Sequence, residues 1–145
     1  MNNLETFHYH MEISIKRCSY VASFIMIAIG VIYFVAAYFE SAEFNTELAA
    51  QIETMFFTTA GILYLPLGIW MLKNGFNSRA PYIMAIIGSV ALIGLYAASR
   101  MVALPVVGKQ DDFGALDIVS KVLQVAIIVI SVILLPKLKK AQIHL

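Results

Sequence analysis

The chain has 145 residues, of which 61% are hydrophobic and 13% charged, and its formal net charge is +1. Soluble domains are about half apolar and a quarter charged, so this composition, with a mean hydropathy of +0.83, excludes an ordinary water-soluble protein and points to lipid as the solvent. Ten basic residues spread thinly exclude the concentrated basic face of a nucleic-acid binder, and a single cysteine, Cys18, excludes an internal disulfide.

The N-terminal segment carries His8, Tyr9, His10 and Met11. Two imidazoles and a thioether are donors that a soft metal site would use. Their spacing is short and nothing nearby completes a tetrahedral set, so a solvated terminal segment is the simpler reading and no cofactor is expected. Cys18 reads as a small apolar filler at a helix start.

Four apolar runs follow: residues 18–39, 54–72, 80–99 and 118–136, the last carrying Lys121 in its first turn. A helix needs about 20 residues to cross roughly 30 Å of hydrocarbon, and all four reach that length or approach it. Backbone amides in lipid must bond internally, and no run alternates with period two, so the expected fold is all-α, an up-down-up-down bundle of four membrane helices forming one domain. The first run is longer than a signal peptide's apolar region of roughly 7 to 15 residues and reads as a span.

Prolines punctuate these runs. Pro81 falls in a first helical turn after Asn77 and Ser78, either of which is a candidate cap, and Pro105 and Pro136 follow the third and fourth runs. Pro66 lies inside the second run and should kink it by freeing the carbonyl of Ile62. Helix two is expected to begin near Thr46, capped by Asn45, and the link before run four to be an ordered loop with a short turn at 109–113.

Lys16, Arg17, Lys73, Arg79, Lys137, Lys139 and Lys140 fall on one side, against Arg100, Lys109 and Lys121 on the other. The positive-inside rule then puts both termini in the cytoplasm of a multi-pass cell-membrane protein. Tyr20, Tyr38, Trp70 and Tyr82 fall at predicted interfaces, where amphipathic rings settle.

Charges press into apolar sequence only between Ser99 and Gln124. On the fourth helix Asp117, Lys121, Gln124 and Ser131 are offset by four, seven and fourteen residues and share a face. Asp117 and Lys121 form a favourable acid-before-base pair at i,i+4. On the third helix Pro81, Ala85, Ser89, Tyr96 and Arg100 line one stripe, with Gly88 beside it, and small residues there admit a close neighbour. Arg100 is expected to pair with Asp117, or else with Glu53, so Arg100, Asp117, Lys121, Gln124, Tyr96 and Glu53 form the candidate polar cluster.

The pattern SRxxxLPxxG, from Ser99 and Arg100 through Leu104, Pro105 and Gly108, then GxxDxxSK from Gly114 to Lys121, resembles a family of small four-span membrane proteins of archaea and bacteria without a characterised function. Where that pattern often has Thr after the Arg, this chain has Met101, and Gln110 and Gln124 stand where Glu is frequent. The resemblance implies a membrane fold and no known reaction.

No GxSxG, HExxH, P-loop or dinucleotide-binding pattern is present, so enzymatic activity is not expected. Short loops and small-residue stripes favour an accessory or scaffolding subunit that packs against other membrane subunits. The alternative is a small transporter or ligand-binding membrane protein that uses Arg100, Asp117 and Lys121 as an outward-facing site.

Overall fold

A computed structural model describes residues 3–42, 48–75, 77–102 and 114–143, with side chains described from 13 to 138. Four helices account for these segments: α1 (Asn3–Ser41), α2 (Leu48–Asn74), α3 (Ala80–Met101) and α4 (Ala115–Ile143). All four are long and apolar enough to cross a membrane. Their outward faces carry large apolar side chains such as Phe24, Ile62, Ile87, Val122 and Val132, the reverse of a water-facing surface. The proposed cap of α2 at Asn45 and the turn at 109–113 lie outside the described residues, as do the side chains of His8, His10 and Met11.

The helices run past the apolar runs that define them. α4 continues through Pro136 to Ile143, where the sequence pattern ended it. The proline removes one amide donor, leaving the Val132 carbonyl to its neighbours, and the helix resumes beyond it. Pro66 likewise sits inside a continuous α2. Pro81 occupies the first turn of α3 as its missing amide favours, but the N-cap is Arg79, which makes no side-chain cap bond; Ser78 Oγ accepts from the Ala80 amide at 3.3 Å instead.

α1 and α2 make the closest packing. A Cβ at Gly61 would stand 2.9 Å from the Phe34 ring and 3.2 Å from the Gly30 carbonyl oxygen, and one at Gly30 would stand 2.8 Å from Leu65. At those two positions a side chain would force the helices apart, so glycine sets their separation. Partners on α1 fall in number as those on α2 rise: Phe34 against Gly61, Ile27 against Gly68, Ser19 against Gly75. The core along this seam includes Ala22, Met26, Ile29, Tyr33, Ala60, Tyr64 and Met71, joined by Ile127, Leu134 and Leu138 of α4.

α2 and α3 are joined by a short turn that is bolted to α1. Tyr82 is fully buried; its hydroxyl lies 2.6 Å from Ser19 Oγ and donates to the Gly75 carbonyl oxygen at 3.1 Å. Tyr82 thus lies in the first turn of α3, near the end of a span, but turns into the protein and not outward. Pro81 starts the helix, the next residue turns inward, and the phenol finds two polar partners that make burial tolerable. Tyr20 and Tyr38 remain exposed.

Candidate functional site

The last turn of α3 and the first turns of α4 bring the boundary charges together. Arg100 Nη2 lies 3.4 Å from Asp117 Oδ2, a part-buried ion pair closed across the loop between the two helices. The Arg100 guanidinium also sits 4.9 Å from the centre of the Tyr96 ring, one turn earlier on α3. Ion pair and ring face give the guanidinium two partners where an isolated cation would be costly. Glu53, which was the fallback partner for Arg100, lines the same region from α2.

Lys121 does not take the expected i,i+4 partner. Its Nζ donates to Tyr33 Oη at 3.2 Å and approaches Ser120 Oγ at 3.5 Å, and it lies 4.9 Å from the Tyr96 ring centre and 5.5 Å from that of Tyr33. Asp117 is held by Arg100, and Lys121 is drawn across the bundle to α1. Ser120 Oγ donates to the Asp117 carbonyl oxygen at 2.8 Å, so the ammonium acts on it as a donor and not as a base.

From Lys121 a chain of polar groups runs into the bundle. Gln124 is fully buried; its Nε2 donates to Tyr33 Oη at 2.8 Å and to Tyr64 Oη at 3.2 Å. Tyr64 Oη lies 3.0 Å from Ser89 Oγ on α3. One carboxamide on α4 thus ties together hydroxyls from α1 and α2, and through Tyr64 reaches α3. Gln124 Oε1 has no partner, and turning the amide over would leave Nε2 in the same position. Ser131, one and then two turns further along the same face of α4, is also buried with its hydroxyl unmatched.

Beside this network the bundle is open. A cavity of about 160 Å³ lies among α2, α3 and α4, lined by Glu53, Phe56, Phe57, Leu92, Tyr96, Asp117 and Lys121 among others. Below it a cleft of about 500 Å³ separates α2 from α3, with Thr59, Leu63 and Tyr64 on one wall and Met84, Gly88 and Ala91 on the other. Phe56 and Leu92 line both, so the cavity and the cleft adjoin at these two side chains. A Cβ at Gly88 would meet nothing nearer than Tyr64 Oη at 3.9 Å, a measure of how far apart these helices stand.

The sequence brings Arg100, Asp117, Lys121, Gln124, Tyr96 and Glu53 forward, and all six lie in or beside this region. It does not bring forward Tyr33 or Tyr64, whose hydroxyls connect the network. For Tyr33 the signal is indirect: Ser19, Ala22, Ser23, Met26, Gly30, Tyr33 and Ala37 recur at helical spacing on α1, a face of mostly small residues that carries one phenol. Among the described residues no cluster of three histidine, cysteine or acidic side chains could hold a metal ion. Comparison with family models, curated proteins and solved structures finds no match to this chain.

Proposed function

We propose that this chain is a non-enzymatic protein of the cell membrane that holds an amphipathic molecule in the groove between α2 and α3. Its four helices cross up-down-up-down with both termini in the cytoplasm, and the Arg100, Asp117 and Lys121 rim faces outward. The basic residues of the N-terminal segment, the α2–α3 turn and the tail support that orientation. The observation that carries the reading is a polar-rimmed cavity set directly against a nearly wholly apolar cleft, with Phe56 and Leu92 lining both, the profile of a molecule with a polar head and a hydrophobic tail. The cleft offers no run of polar side chains for a hydrated solute, so binding is favoured over transport of ions. The resemblance to small four-span archaeal and bacterial proteins rests on Ser99, Arg100, Asp117, Ser120 and Lys121, which belong to the same rim.

Native mass spectrometry of protein released gently from membranes tests this reading. A bound small amphiphile at one per chain is expected, and it should be lost in Gly88→Leu, which fills the cleft. A folded wild-type chain that carries no adduct under conditions that preserve lipid binding would overturn it.

A second reading, the accessory or scaffolding subunit, is favoured by α3. Gly94 is exposed with nothing within 4 Å of a Cβ placed on it, beside exposed Ala91 and Ala97. A helix from another subunit would pack closely against that face. Comigration with a larger complex in mild detergent, lost in Gly94→Leu, is the expected result; a wild-type chain that migrates alone from native membranes would remove this role.

A further inference from the structure

Resting on the proposed groove, we infer that its occupant is a neutral lipid whose head is a single ring bearing a hydrogen-bond acceptor, the chemistry of a prenylated quinone. The tail cannot supply the selectivity. A hydrocarbon chain leaving the bilayer for an apolar cleft exchanges one apolar environment for another and gains little. Discrimination therefore falls to the cavity around the head.

Charge decides the first property of that head. Among the described residues the ionised groups at the cavity are Glu53, Asp117 and Lys121, with Arg100 bonded to Asp117: two of each sign. An anionic head would meet two carboxylates and a cationic head two bases, in surroundings of low dielectric where like charges repel strongly. A neutral head meets neither penalty.

Size decides the second. About 160 Å³ is the room of one six-membered ring, close to the engineered apolar cavity of roughly 150 Å³ that binds benzene. The Phe56, Phe57 and Tyr96 side chains line that space, and aromatic walls favour a flat occupant. Hydrogen bonding decides the third. Lys121 lines the cavity and has three N–H donors, of which Tyr33 and Ser120 engage two, so an acceptor on the ring has a charged donor waiting for it. Below the ring, the cleft past Phe56 and Leu92, walled by Leu63, Leu67 and Met84, takes the chain.

The test is a binding titration in nanodiscs of purified full-length chain with a decyl-substituted benzoquinone, its tail-less parent, and oleate as the anionic comparison. Saturable binding of the decyl compound is expected, weakened about tenfold or more by Lys121→Met. Gly88→Leu should weaken the decyl compound by about tenfold while leaving the tail-less ring within about threefold, and Gly94→Leu, away from the groove, should change neither. Thermal melting of each variant shows that it is folded. If oleate saturates with the same Gly88→Leu sensitivity and the quinone does not bind, the neutral-ring assignment is overturned and the groove reading stands. If no amphiphile binds folded wild-type protein, both fall. Quinone binding that is indifferent to Lys121→Met and Gly88→Leu in folded variants also overturns the assignment.

Discussion

α2 has two neighbours and treats them in opposite ways. Against α1 it presents Gly61 and Gly68 to close-fitting side chains, leaving no room for a methyl group. Against α3 it leaves a cleft of about 500 Å³ in which a Cβ at Gly88 is welcome. Lipid offers no hydrophobic drive between helices, so contact forms where surfaces fit and fails where they do not. The glycines of the first seam make that fit; the bulky Phe56, Leu63, Leu67, Met84 and Leu92 of the second hold the backbones apart and line an opening. One seam is closed to any further atom; the other stays open, and it is there that we propose an occupant.

This contrast can be broken most severely at the tight seam. Gly61→Leu should cost about 3 kcal/mol, the upper end for overpacking, with loss of monodisperse protein and a large fall in Tm. If it melts like the wild type, the seam is not close-packed. Next is the polar chain that joins the two halves. Gln124→Ala should cost about 2 kcal/mol by opening a void and removing one of two hydrogen bonds from each of the Tyr33 and Tyr64 hydroxyls, whereas Gln124→Leu should stay within about 1 kcal/mol of the wild type because hydrogen bonds between membrane helices are weak. Equal losses from the two would mean that hydrogen bonding outweighs volume there.

Smaller effects belong to the rim and the open side. Asp117→Asn should lower stability by about 1 kcal/mol or less, measured by reversible unfolding in mixed micelles, with the difference shrinking in high salt. Gly94→Leu should leave the unfolding free energy within about 0.5 kcal/mol of wild type, since its new side chain meets nothing in this chain. A fall as large as that of Gly61→Leu would show that α3 has close contacts on that face too.

The number of helices and the rim were legible in the sequence because they depend on features that hydropathy and helical offset record directly, whereas α1 and α4 outrun their apolar stretches. Arg100 and Asp117 stand out as charges at the margins of apolar runs, and Gln124 follows from its place on the Asp117 face of α4. The rest escapes for a physical reason. A tyrosine in an uncharged run reads as an apolar ring, and nothing local says whether its hydroxyl will meet lipid headgroups, as expected for Tyr82, or a buried partner, as found with Ser19 and Gly75. Lys121 reaches Tyr33 on α1 while Arg100 pairs with Asp117, an arrangement visible only once the helices are packed. The groove is a property of misfit between two surfaces and has no signature in either one alone.

The phenol of Tyr82, bonded to Gly75 and Ser19, works as the pin of a pair of compasses. With that end fastened to α1 and the Tyr64–Ser89 contact bridging the helices midway, α2 and α3 can spread only toward their far ends, where Glu53 and Tyr96 stand. Guests of increasing girth should therefore be accommodated by swinging the legs apart at the rim, with the turn at 75–79 unmoved, and cutting the pin with Tyr82→Phe should let the whole angle drift.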